Sequence, residues 1–72
     1  MPKKNVRYSR HAIQRKLERG ISDDEITQTL NEPDYTLTSI EGRKVAVRKI
    51  GTKTIHVVYK EEETHINIIT VY

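Results

Sequence analysis

The chain has 72 residues, 35% hydrophobic and 32% charged, with no cysteine and a formal net charge of +3. A chain of this length makes one domain with a thin core, so any site must be an open cleft or a sheet face rather than an enclosed pocket. The composition excludes disulfides and thiolate metal sites, no apolar run reaches membrane-spanning length, and no hydrophobic signal segment follows Met1-Pro2-Lys3-Lys4, so the expected compartment is the cytoplasm with no membrane partner.

Charge is segregated along the chain. Residues 1–19 hold seven Lys/Arg and one acid, 20–42 hold six acids and no base, 43–60 hold six bases and no acid, and Glu61-Glu62-Glu63 follow. A basic surface suits a phosphate backbone.

Residues 1–7 read as a basic arm or a short edge strand ending at Tyr8, and 9–31 as a helical pair. Ser9 can cap a first helix that runs to about Arg19, with Ile13 and Leu17 one turn apart facing the core beside Ala12, and Gly20 as a left-handed stop. The second helix has a capping box, Ser22 with Glu25, and a hydrophobic staple, Ile21 with Ile26. Asp23 and Asp24 suit its dipole, Ile26 and Leu30 make its buried stripe, and Pro33 ends it.

Beyond Pro33 the hydrophobic period changes to two, which predicts strands at 35–39, 43–50, 54–61 and 64–72. Short links predict a four-stranded antiparallel meander. Loops at Ile40-Glu41-Gly42, Gly51-Thr52-Lys53 and Glu62-Glu63 place Tyr35, Leu37, Val45, Val47, Val57, Tyr59, Ile66 and Ile68 on one face, covered by the helices. Thr70 falls on that same face. The opposite face then carries Lys44, Ala46, Arg48, His56, Val58, Lys60, His65, Asn67 and Ile69, a polar and basic surface. The fold class is therefore α+β, two N-terminal helices on one face of the sheet formed by 35–72.

No P-loop, dinucleotide fingerprint, nucleophile elbow or metal-ligand spacing occurs, so neither a metal nor another cofactor is expected. His11, Arg15 and Arg19 share one side of the first helix at i, i+4 and i+8. A histidine exchanges protons near neutral pH, and an arginine beside it can hold a phosphate. Those two residue types are the minimum for metal-free RNA cleavage, in which a base activates the ribose 2′-hydroxyl and an acid protonates the leaving 5′-oxygen. Spacing alone fits a solvated helix face with an incidental histidine better. Tyr8 and Tyr72, at element ends, can stack a base or simply pack.

The string from Tyr8 to Ser22 adds to that weighing. Ser9-Arg10-His11-Ala12, then Arg15, then Glu18-Arg19-Gly20-Ile21, resembles the opening of a family of small bacterial and archaeal domains of unknown function. Gly42-Arg43, Val57-Val58-Tyr59 and Thr70-Val71-Tyr72 resemble its later segments. That family is similar to the superfold shared by barnase, EndoU, colicin nucleases and RelE, whose members are typically metal-independent ribonucleases, many of them toxins held by a cognate antitoxin. The resemblance implies a catalytic set of His11, Arg15, Arg48 and Thr70. Arg19, Lys44, His56 and Tyr72 would extend an RNA track. The implied partners are RNA and an antitoxin or other protein. A bulge near the end of the last strand, or a site at the sheet edge beside the first helix, would bring Thr70 to such a site. A missing first strand, relative to RelE-like proteins, would leave a sheet edge open. Two alternatives stand beside a ribonuclease: a non-catalytic RNA- or ribosome-binding module, and a protein-interaction domain.

Overall fold

Both helices start where capping chemistry puts them. In the computed structural model, which describes residues 5–38 and 40–72, the first helix, α1, spans Arg10–Arg19 and the second, α2, spans Asp23–Asn31. Residues 1–4 of the expected arm, and Ser39 at the expected end of a strand, lie outside the described residues. The Ser9 hydroxyl accepts from the Ala12 N–H at 3.0 Å, and Gly20 ends α1 at φ 64°. At α2 the Ser22 hydroxyl accepts from the Glu25 N–H at 3.1 Å while the Glu25 carboxylate accepts from the Ser22 N–H at 2.9 Å. This reciprocal pair satisfies two N–H groups that helix geometry leaves free. The staple residues Ile21 and Ile26 are both buried.

Five strands follow the chain as β1 (Asn5–Tyr8), β2 (Tyr35–Thr38), β3 (Arg43–Ile50), β4 (Lys53–Glu61) and β5 (His65–Val71), with one helical turn at Ile40–Gly42. Their spatial order is β1-β5-β4-β3-β2. The expected meander β2–β5 is present and antiparallel, but the sheet is five-stranded and mixed, because β1 pairs parallel with β5. Asn5–Tyr8 thus supply the edge strand, which pairs with His65–Ile68 along the β5 edge expected to be open.

The faces differ from expectation in β2 and β3. Ile50 pairs with Lys53, so the β3–β4 loop is Gly51-Thr52 rather than three residues. Gly51, at φ 62°, gives the left-handed conformation that a two-residue hairpin demands. Because side chains alternate, this one-residue slip turns β3 over relative to β4, and β2 turns with it. Ala46, Arg48 and Ile50 therefore face the helices, together with Lys44, while Val45 and Val47 face away with Tyr35 and Leu37. Tyr35 and Leu37 are accordingly 54% and 53% exposed rather than core residues.

The β4–β5 link moves without changing the face. Glu61 pairs with Ile66 and the Glu62 N–H donates to the His65 carbonyl at 2.9 Å, closing a two-residue loop at Glu63-Thr64. Further along, Val58 pairs with Thr70 while Tyr59 pairs with Ile68, so Ile69 is the extra residue of a bulge. The bulge puts Val71 into the core and turns Thr70 onto the open face.

The core joins Ala12, Ile21 and Ile26 to Ile55, Val57, Ile68 and Val71. Burying each Ile or Val contributes about 1.5–3 kcal/mol. Thr29, fully buried, returns its hydroxyl to the Glu25 carbonyl at 2.8 Å. The rotation of α1 differs from expectation too: Ile13 and Leu17 are 47% and 73% exposed, and Ala12 alone is buried. The cause is the fastening of Ser9 to β5. Its N–H donates to the Ile68 carbonyl at 3.0 Å and its hydroxyl to the Ile69 carbonyl at 2.7 Å. Anchored there, the helix turns its smallest apolar residue to the sheet. Lys16, one turn on, lies 5.7 Å from the Tyr8 ring centroid and pairs with Asp23.

Candidate nucleic-acid interface

With both helices on one side, the other face of the sheet is uncovered, and alternation assigns its residues. Pairing aligns them in cross-strand rows. Tyr35, Val47, His56 and Tyr72 form one row, and Leu37, Val45, Val58 and Thr70 the next. Arg43, Lys60, Asn67 and Arg7 form a third. Lys49 opposite Thr54, and Asn5 opposite His65, lie beyond. The open-face strand positions hold four Lys/Arg and two histidines and no acid. The surface has an apolar and aromatic middle with a cationic fringe.

The first row has a defined geometry. The N–H of His56 donates to the Tyr72 carbonyl at 2.7 Å, and that of Tyr72 to the His56 carbonyl at 2.9 Å. Their rings stack at 4.6 Å with 6° between planes. Nδ1 of His56 is buried without a hydrogen-bond partner, which leaves Nε2 as the other ring nitrogen. Tyr35 and Tyr72, at the two ends of this row, present exposed rings. Val47 between Tyr35 and His56 is 1% exposed.

The edge of β5 beyond β1 is flanked by α1. Ser9, the cap of α1, bonds to Ile69, one residue from Thr70, and Arg19 at the end of α1 comes near Tyr72. There an open cleft of about 220 Å³ is lined by Arg19, Ile21, Lys53, Thr54, Ile55 and Tyr72. Arg19 fixes which flank of α1 looks toward Tyr72, and His11 and Arg15, at i−8 and i−4 from it, lie along that flank. Arg15 contacts Glu18 at 3.4 Å, and His11 is exposed. In the cleft, the Lys53 ammonium donates to the Gly20 carbonyl at 3.3 Å, a cation at the negative end of the helix dipole.

The residues that sequence reasoning singled out thus divide. His56, Thr70 and Tyr72 come together on the open face, and His11, Arg15 and Arg19 line the adjacent flank of α1. Arg48 and Lys44 are elsewhere, on the helix side. Arg48 donates through Nη1 to the Glu32 carbonyl at the end of α2, with its Nε buried and unpartnered. Lys44 pairs with Glu61 at 3.5 Å. In their place the open face carries Arg43 and Lys49, with Tyr35 and Val45, none of which was singled out. The signal that could have found them is Gly51-Thr52, a legitimate two-residue hairpin loop, because the register of β3 follows from its length.

Two groups with displaced proton affinities, Tyr8 and Glu25, lie outside this interface. Burial raises the pKa of Tyr8, and Asp23 beside it, by charge and by hydrogen bond, raises it further. Hydrogen bonding to the Ser22 N–H lowers that of Glu25. Among the described residues no three His, Cys, Asp or Glu gather as metal ligands, and no helix is long and apolar enough to cross a membrane.

With this geometry in hand, a family comparison covers nearly the whole chain: residues 8–72 match the family described as a domain of unknown function, DUF4258. The chain belongs to that family. No curated protein and no solved structure matches it. The DUF4258 match begins at Tyr8, so it includes both helices, the open face of the meander and the α1 flank.

Proposed function

We propose that this DUF4258 domain is RNA-directed: the open sheet face takes single-stranded RNA, and the α1 flank beside Thr70 cleaves it without a metal. The observation that carries the reading is the acid-free open face, with exposed Tyr35 and Tyr72 ending one row and Arg43, Lys60 and Arg7 forming another. Aromatic rings stack bases without regard to sequence, at about 1–3 kcal/mol per base, and the fringe of cations meets the backbone.

Cleavage is assigned to the seam between face and flank. His11 removes the ribose 2′-hydroxyl proton, and that oxygen attacks the adjacent phosphorus. Arg15 holds the phosphate oxygens as charge builds on them. The P–O5′ bond breaks and His56, through Nε2, returns a proton to the leaving oxygen. The products are a 2′,3′-cyclic phosphate and a 5′-hydroxyl. Thr70 donates its hydroxyl to a phosphate oxygen. Arg48 has no part in this step, since it is occupied at the end of α2.

That occupied arginine also supports a second reading, a non-catalytic RNA-binding module, because it removes one phosphate ligand from the set the resemblance implies. Incubation of labelled RNA with the protein in EDTA separates the two. Cyclic-phosphate products that vanish in His11→Ala support cleavage. Intact RNA that is retained in a salt-dependent complex supports the module, and cleavage surviving in His11→Ala removes His11 from the site.

A further inference from the structure

The two edges of the sheet are built differently. Edge strands invite pairing with other chains unless charge, proline or a bulge blunts them. β1 carries Arg7 in its middle. β2, at the other edge, reads Tyr35-Thr36-Leu37-Thr38: four exposed residues with no charge, proline or bulge. Two of the chain's large exposed hydrophobics, Tyr35 and Leu37, sit in this short strand. Nothing in the RNA reading requires Leu37 to be apolar.

We propose that β2 is a self-pairing edge, at which a second copy of this chain adds its own β2 antiparallel and extends the sheet. The sequence of the strand selects the occupant. A two-fold axis perpendicular to the sheet at Thr36 sets Thr36 opposite Thr36 of the second copy. It also sets Tyr35 opposite Leu37 of that copy, and Leu37 opposite Tyr35. Because Tyr35 and Leu37 share the open face and Thr36 points to the helix side, this register keeps both open faces on one side of the enlarged sheet. Each aromatic meets an aliphatic twice over, the kind of cross-strand pair that contributes about 0.2–1 kcal/mol, and the threonines pair with each other. No charge meets a like charge within the paired strands. A symmetric interface needs a patch that complements itself, and this strand does so without help from another sequence.

The consequence is a ten-stranded sheet in the order β1-β5-β4-β3-β2 followed by its mirror order, with two open faces joined. The proposal does not depend on what that face binds.

Sedimentation of the full chain over a wide concentration range tests it, alongside Leu37→Lys and Thr36→Arg. Both sites are exposed, so neither variant loses core packing, and circular dichroism confirms that each is folded. The expected result is a concentration-dependent dimer whose dissociation constant rises about tenfold or more in each variant, since Thr36→Arg sets like charges opposite each other on the axis and Leu37→Lys replaces the apolar partner of Tyr35 with a charge. Concentration-dependent protection of amides in 35–38 against hydrogen exchange would accompany it. A monomer at every concentration overturns the proposal. A dimer that survives both substitutions overturns it as well, because the copies would then meet elsewhere.

Discussion

The two faces of one sheet present different chemistry from the same strands. β4 alternates Ile55, Val57 and Tyr59 toward the helices with His56, Val58 and Lys60 toward the open side. On the helix side, Ile55 and Val57 are buried under α1 and α2 and hold the fold. On the open side, the corresponding rows end in exposed tyrosines and cations. A half-covered mixed sheet thereby alternates buried and open positions at intervals of one residue. Neighbouring substitutions should have opposite signatures.

The sharpest break in that comparison comes from the buried face. Ile26→Ala and Val57→Ala should each lower unfolding free energy by about 2–5 kcal/mol for the larger truncation and less for the smaller. Leu37→Ala, equally apolar but on the open face, should stay within about 0.5 kcal/mol. Urea titrations with a common slope measure all three.

A second contrast tests the cations. Arg43→Ala with Lys60→Ala should weaken RNA binding uniformly across sequences and reduce the slope of log affinity against log salt by about 2, with stability unchanged. Arg48→Ala should do the reverse. It removes the side chain that accompanies the Glu32 carbonyl at the end of α2, so about 1–3 kcal/mol of stability should go while the salt slope holds. An Arg48→Ala protein of full stability with a reduced slope would return Arg48 to the RNA track.

Smaller effects belong to the helical layer. Ser22→Ala removes half of the capping box and should cost about 1 kcal/mol, read as a lower midpoint in thermal or urea unfolding. The pH dependence has two signs. The Tyr8 pKa is raised in the folded chain, so its stabilising contribution is complete below the unfolded value near 10.0 and is lost as pH rises through the higher folded value. Tyr8→Phe should flatten that alkaline decline. The Glu25 pKa is lowered, so its contribution is present above 4.5 and fades as pH falls through the lower folded value. Glu25→Gln should flatten the acid limb without shifting RNA affinity.

The turn after β2 adds a local comparison. Glu41 holds φ 69°, a left-handed conformation that costs a side-chain-bearing residue about 1 kcal/mol, and it precedes Gly42 at φ 76°. Glu41→Gly should therefore raise stability slightly, an effect thermal unfolding can resolve.

How far each element was legible follows from the range of the interaction that defines it. The helix starts, the capping box, the staple and the Gly20 stop are contacts within four residues of chain, and all stand where their residue types put them. The β2–β3 pairing was legible for the same reason, because Leu37 and Val45 are joined by one tight turn. The candidate site was legible only in parts. The α1 stripe of His11, Arg15 and Arg19 follows from helical spacing, and the place of His56 on the open face follows from alternation within β4. Arg43, Lys49 and Tyr35 were missed and Lys44 and Arg48 misplaced because one residue of hairpin length decides a whole strand's orientation.

By itself, then, the amino-acid sequence determined the capped helices, the strand segments of the meander and the absence of thiols, since each is written in nearest neighbours or composition. Tertiary structure alone decided the rest. It recruited Asn5–Tyr8 as a parallel strand on β5, and a parallel pairing has no local sequence mark. It turned α1 by fastening Ser9 to the Ile68 and Ile69 carbonyls, which left Ile13 and Leu17 outside. It placed the Ile69 bulge that brings Val71 inward and Thr70 to the open face. In each case the deciding contact joins residues far apart in the chain, and only the competition among all such contacts for one thin core selects the winner.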